Sequence, residues 1–168
     1  GYGDLPHDAR IARAEAQKAD RMSQAAAVAE AGTAPLNAPT DPQMAELMAK
    51  LRTATTQRPD DLQGQELLAR NEAALGNAAA AAAAQERVVA IKGDKATAGD
   101  LAQLADNMIL AADGYVSPEA EEAVLAALDR DPGNGTARFY LGLLEAQTGR
   151  PDRAFVLWRD LLETSPPE

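Results

Sequence analysis

Few side chains in this sequence have the type and spacing for chemistry, and each set lacks a partner it would need. The only histidine, His7, stands near Asp4 and Asp8, a trio that could touch a metal ion. No cysteine or second histidine completes a zinc-type donor set, so His7 reads as a surface residue. Glu119, Glu121 and Glu122 cluster as an acid–base group would. They follow Ser117-Pro118 at an expected helix start, where carboxylates complement the exposed N–H groups. Pro132-Gly133-Asn134-Gly135 carries glycines but no phosphate-loop lysine, and it follows no strand pattern. Ser23, Ser117 and Ser165 have no histidine to serve as base. Without cysteine there are no disulfides, thiolate ligands or thiol nucleophiles. The sequence therefore predicts no enzyme, no cofactor and no metal site, and leaves binding of another macromolecule as the expected activity.

The elements that would position a binding surface are announced by a period. Ala120 recurs as Ala154, and Pro132 recurs as Pro166 at the same interval. That interval resembles the helix-pair repeat of tetratricopeptide arrays, about 34 residues long. Such a repeat wants a small residue where two antiparallel helices touch and a proline just past the second. Hydrophobic residues make up 46% of the chain but aromatics only 4%, so the core must be built from Ala, Leu, Val and Met. Such a composition favours helix over strand. The fold class predicted is all-α, a tetratricopeptide-like superhelix of helical hairpins with an N-terminal helical spacer.

Two regions divide the chain. Residues 1–40 read as a membrane-proximal spacer and linker. An extended lead-in over Gly1–Pro6 precedes a polar helix from about Asp8 to Glu30, and Pro35 and Pro39 mark a linker after Gly32. Residues 41–168 read as the repeat domain. Asp41-Pro42 starts a helix over 41–57 whose Met44, Leu47, Met48 and Leu51 fall on one face, suited to covering the first repeat. Three repeats follow at 62–95, 101–134 and 135–168. The third carries Leu141-Gly142, Gly149, Ala154, Trp158 and Pro166 in phase. The second departs at Asn107-Met108, where a small residue normally admits the paired helix, and its helices are expected to spread or shift. The run Ala78–Ala84 reads as a packed helix rather than a flexible tract. No stretch approaches the roughly 18 apolar residues of a spanning helix.

The net charge of −10 is concentrated on residues 62–168, which carry −8 of it. That argues against nucleic-acid phosphate and favours a basic partner, beside the plainer role of keeping a surface soluble. First helices of stacked pairs line the concave side. Gln63, Glu66, Arg70 and Ala73 would contribute from repeat one. Ala102, Ala105, Ile109 and Asp113 would follow from repeat two, and Thr136, Phe139, Leu143 and Gln147 from repeat three. Alanines flanked by Ile109, Phe139 and Leu143 would form an apolar trough for an amphipathic helix, with Glu66 and Asp113 selecting basic side chains. The other reading of Phe139 and Leu143 is burial between repeats. A clamp for an acidic C-terminus is excluded, because Glu66, Arg70, Asp106, Thr136 and Tyr140 supply two acids and one base.

Gly1-Tyr2-Gly3-Asp4-Leu5-Pro6, a charged helix, Arg58-Pro59-Asp60-Asp61, Leu67-Leu68-Ala69-Arg70 and Ala74-Leu75-Gly76 occur in that order. This arrangement resembles the periplasmic part of the CcmI (CycH) family, apocytochrome c chaperones of bacterial cytochrome c maturation. Gln65 departs from it where members often carry Trp. The resemblance implies a periplasmic domain of an inner-membrane protein, anchored by two transmembrane helices upstream. It implies haem-ligation complex subunits as neighbours, and the C-terminal helix of unfolded apocytochrome c as the partner held during haem attachment. A generic envelope scaffold, binding folded proteins on its convex side, is the rival reading.

Overall fold

The computed structural model describes residue 16 and residues 18–164. The lead-in Gly1–Pro6, His7, the start of the first helix, Ser165 and Pro166 lie outside the described residues. Among the described residues, eight α-helices follow one another from Gln24 on: α1 Gln24–Ala31, α2 Pro42–Gln57, α3 Leu62–Ala74, α4 Ala78–Lys92, α5 Ala98–Ala111, α6 Pro118–Arg130, α7 Gly135–Gln147 and α8 Pro151–Thr164. There is no strand among the described residues. α3/α4, α5/α6 and α7/α8 pack as hairpins, and successive hairpins stack through α4 on α5, α6 on α7 and α5 on α7. This is a tetratricopeptide-like array, with α2 laid on α3.

Local chemistry sets these boundaries. Asp41, Asp61, Thr97, Ser117 and Asn134 each turn a side-chain oxygen onto backbone N–H groups at the starts of α2, α3, α5, α6 and α7. Between α4 and α5 the chain makes a short 3-10 turn over Gly93–Lys95, and a reciprocal Thr97–Asp100 box then restarts the helix. The alanine run forms the first half of α4, with Ala81 and Ala84 buried.

Hairpin closure follows from matched sizes at two positions. In the third hairpin a Cβ built on Gly142 would sit 2.8 Å from Trp158 Cδ1 and Cε2, so only glycine admits the indole there. The Trp158 indole N–H donates to the Phe139 carbonyl at 3.1 Å. One repeat earlier the same two positions carry Met108 and Val124, both buried in the central core. A large residue faces a small one in each case, with the sizes exchanged. The expected spreading at Asn107-Met108 does not occur, and α5 and α6 pack as closely as the other pairs. Gln65, the departure noted in the sequence, is buried and its amide nitrogen donates to the Pro59 carbonyl at 3.1 Å.

The N-terminal segment differs from the expected single helix. The helix breaks at Asp20–Ser23, and α1 restarts with Ser23 as its cap. From Lys18 to Asn37 the chain is strapped across the turns of the hairpins. Lys18 and Arg21 pair with Glu122 and Glu121, and Arg21 Nη2 also donates to the Val116 carbonyl at 2.6 Å. Gln24 Nε2 donates to the Met108 carbonyl at 2.8 Å, and the Ser117 hydroxyl donates to Gln24 Oε1 at 2.7 Å. Further along, Asn37 N–H donates to Asn77 Oδ1 at 2.7 Å. Of the acidic trio at the start of α6, Glu121 and Glu122 thus receive basic side chains of the strap, and Glu119 accepts from Gln24 N–H at 2.9 Å.

Candidate peptide-binding site

The nominated residues separate into three places. On α3, Gln63 and Arg70 are exposed and Glu66 is half-buried. Glu66, Arg70 and Ala73 line a polar groove of about 400 Å³ with Asp100 and Gln103. Glu66 is not free to select a basic ligand, because Lys92 pairs with it at 2.7 Å and with Asp100 at 3.1 Å. Hydrogen bonding to Glu66 and Asp100 outweighs burial and raises the Lys92 pKa. Arg70 has no ion-pair partner among the described residues.

On α5, Ala102, Ala105 and Ile109 are closed off in the core under α6 and α7. They cannot form the wall of an open trough, and that expectation is corrected. The reason is stacking: Ala105 and Ile109 lie one repeat before Phe139 and Leu143, and the third hairpin covers the earlier pair. Asp113 is exposed at the α5–α6 turn with a left-handed φ of 53°, beside the strap rather than near Glu66.

On α7, Phe139 is 46% exposed, stacked on Trp158 at 6.0 Å and edge-on to Tyr140 at 5.3 Å. Leu143 is half-buried against the core, and Thr136 is exposed. Tyr140 donates its hydroxyl to Asp106, and burial followed by that carboxylate pushes the phenol pKa up. The Gln147 amide is committed to the fold. Its oxygen accepts from Val116 N–H at 2.9 Å and its nitrogen donates to the Gly114 carbonyl at 2.8 Å.

A larger groove lies elsewhere. Residues 38–41, α2 and α3 enclose about 690 Å³ of mostly apolar space, with Met44, Leu47 and Leu67 exposed on its walls. The sequence showed the Met44, Leu47, Met48 and Leu51 stripe but assigned all of it to covering α3. Met48 alone of the four is fully buried there. Behind this groove sits a buried polar knot. Arg52 binds the Glu72 carboxylate through Nε at 2.6 Å and Nη2 at 3.0 Å, and Asn77 donates to Glu72 Oε2 at 2.6 Å. Burial pushes the Glu72 carboxyl up, but these hydrogen bonds outweigh it and hold it below the ordinary 4.5.

No His/Cys/Asp/Glu group among the described residues could hold a metal ion, and no described helix is long and apolar enough to cross a membrane. What the surface offers is grooves with mixed apolar and polar walls.

The chain is similar to a cytochrome c-type biogenesis protein. CycH of Rhizobium meliloti (strain 1021) is 32% identical to it over 120 residues, a stretch covering 71% of this chain and 31% of that protein. The chain thus spans about a third of that relative's length. No family model matches it.

Proposed function

We propose that the chain is a non-catalytic peptide-binding module of cytochrome c maturation. It holds the amphipathic C-terminal helix of unfolded apocytochrome c while haem is attached, beside haem-ligation subunits, as a periplasmic domain tethered by an upstream anchor. Residues 41–168 are the binding unit, and residues 1–40 link it to that anchor. The likeness to CycH carries this reading. The stack of hairpins supports it, because such arrays present long grooves to helical segments. Of the residues the sequence suggested, Gln63, Arg70 and Phe139 are exposed to solvent and Leu143 half-buried, whereas Ala105 and Ile109 are enclosed.

Calorimetric titration with a synthetic C-terminal peptide of a c-type cytochrome tests it. A saturable one-to-one isotherm, absent for a scrambled peptide of the same composition, is expected. No heat and no spectral change at saturating peptide would sink the proposal.

One observation favours the scaffold reading. α8 exposes Phe155, Val156 and Leu162, a face suited to a folded neighbour. Loss of a haem-ligation neighbour, but not of peptide, on Phe155→Ser would assign that face to assembly.

A further inference from the structure

The three hairpins share a register that extends to α2. One repeat length before α4, Ala78–Lys92, lies the segment 44–58, which matches α2 to within two positions at its start. Pro59 likewise stands one repeat length before Gly93, which closes α4. α2 is therefore the second helix of a pair. The residues where its first helix would be built, 28–40, form instead the end of α1 and the non-helical strap that docks at Asn77.

The exposures carry the consequence. Leu47 stands in the register of Ala81, Ala120 and Ala154. Those alanines are 0%, 0% and 1% exposed, on second helices packed against the first helices of their own hairpins, while Leu47 is 57% exposed. α4 packs between α3 and α5, and α6 between α5 and α7, whereas α3 is the principal neighbour of α2. α5, whose hairpin is followed by another, lies in the groove formed by its own second helix α6 and the next first helix α7. The groove between α2 and α3 is the matching place, one unit before the first hairpin.

We propose that an amphipathic helix of a partner protein docks in this groove, antiparallel to α2, as the missing first helix of the pair. The proposal rests on the peptide-binding reading above and locates it. The first helices present, α3, α5 and α7, are 13, 14 and 13 residues long, so the guest is three to four turns. It buries an apolar stripe against Met44, Leu47, Leu51 and Leu67 and keeps its other face in water. Two methionines in the wall, Met44 and Met48, adapt to guests of differing shape. Asp41 is the only ionisable side chain among the described residues lining the groove, at the start of α2. An antiparallel guest brings its C-terminal end there, so a lysine or arginine in its last turn is complementary.

The test uses the same cytochrome peptide with Leu47→Asp, Leu67→Asp and Phe139→Ala chains, each checked by circular-dichroism melting. Leu47 and Leu67 are exposed, so the folded state tolerates the change. The expected result is at least tenfold weaker binding for both Asp variants and unchanged affinity for Phe139→Ala. Wild-type affinity in both Asp variants, or a loss confined to Phe139→Ala, overturns this location while leaving the peptide-binding reading intact. No binding by the wild-type chain overturns that reading instead. Self-association that Leu47→Asp abolishes would assign the groove to a second copy and also overturn the proposal.

Discussion

Replacing Gly142 by alanine tests how the hairpins close. The added methyl meets the Trp158 indole at 2.8 Å or less, and moving the indole breaks its hydrogen bond to the Phe139 carbonyl. Overpacking of this kind costs about 1–3 kcal/mol. Loss of a partly exposed hydrogen bond adds about 1 kcal/mol. Alanine returns about 1 kcal/mol through helix propensity, leaving a net destabilisation of about 2 kcal/mol. With a urea m-value of about 2 kcal/mol/M, the midpoint falls by about 1 M. Trp158 is the only tryptophan, so its fluorescence reads the third hairpin while circular dichroism reads the whole array. In a Trp158→Val background, which installs the small residue of the second hairpin, Gly142→Ala should instead stabilise by about 0.5–1 kcal/mol. The coupling between the two sites is then about 2–3 kcal/mol, within the range for residues in contact. Equal effects of Gly142→Ala in both backgrounds would refute the size-matching argument.

Asn107 is buried with its Nδ2 unpaired among the described residues, at a position held by Leu68 and Leu141 in the flanking repeats. Asn107→Leu should raise stability by about 1 kcal/mol in urea unfolding. Arg52→Ala strands the Glu72 carboxylate and should cost about 3 kcal/mol by the same assay. Because the folded Glu72 pKa is lowered, the unfolded chain binds the proton more readily. The stability from Glu72 is full above pH 4.5 and is lost as pH falls through the lower folded value; Glu72→Gln should flatten that part of an acid titration. Arg21→Ala should speed hydrogen exchange over residues 18–31 without changing exchange in α7 and α8.

Much of the helical order was legible because it is local. Asp41-Pro42 and Ser117-Pro118 cap the helices they announce, and the repeat spacing brings Ala120 and Ala154 to equivalent buried positions. Which side chains stay open was not legible, because it depends on what stacks next. Ala105 and Phe139 share one register position, yet only the first lies under a further hairpin. Leu47 is the reverse case, an apolar residue in a buried register left uncovered because residues 32–40 do not form a helix. Contacts such as Lys92 with Glu66, or Arg21 with Glu121, join positions far apart in the chain and leave no trace in spacing.

Methyl-resolved NMR of the chain with saturating cytochrome C-terminal peptide shows where the guest helix sits. The expected outcome is that the Met44, Leu47, Leu51 and Leu67 methyls shift and acquire intermolecular contacts, while Val124 and Leu104 in the core hold still. Unmoved methyls on α2 and α3, with the contacts appearing on α7 or α8, would contradict it.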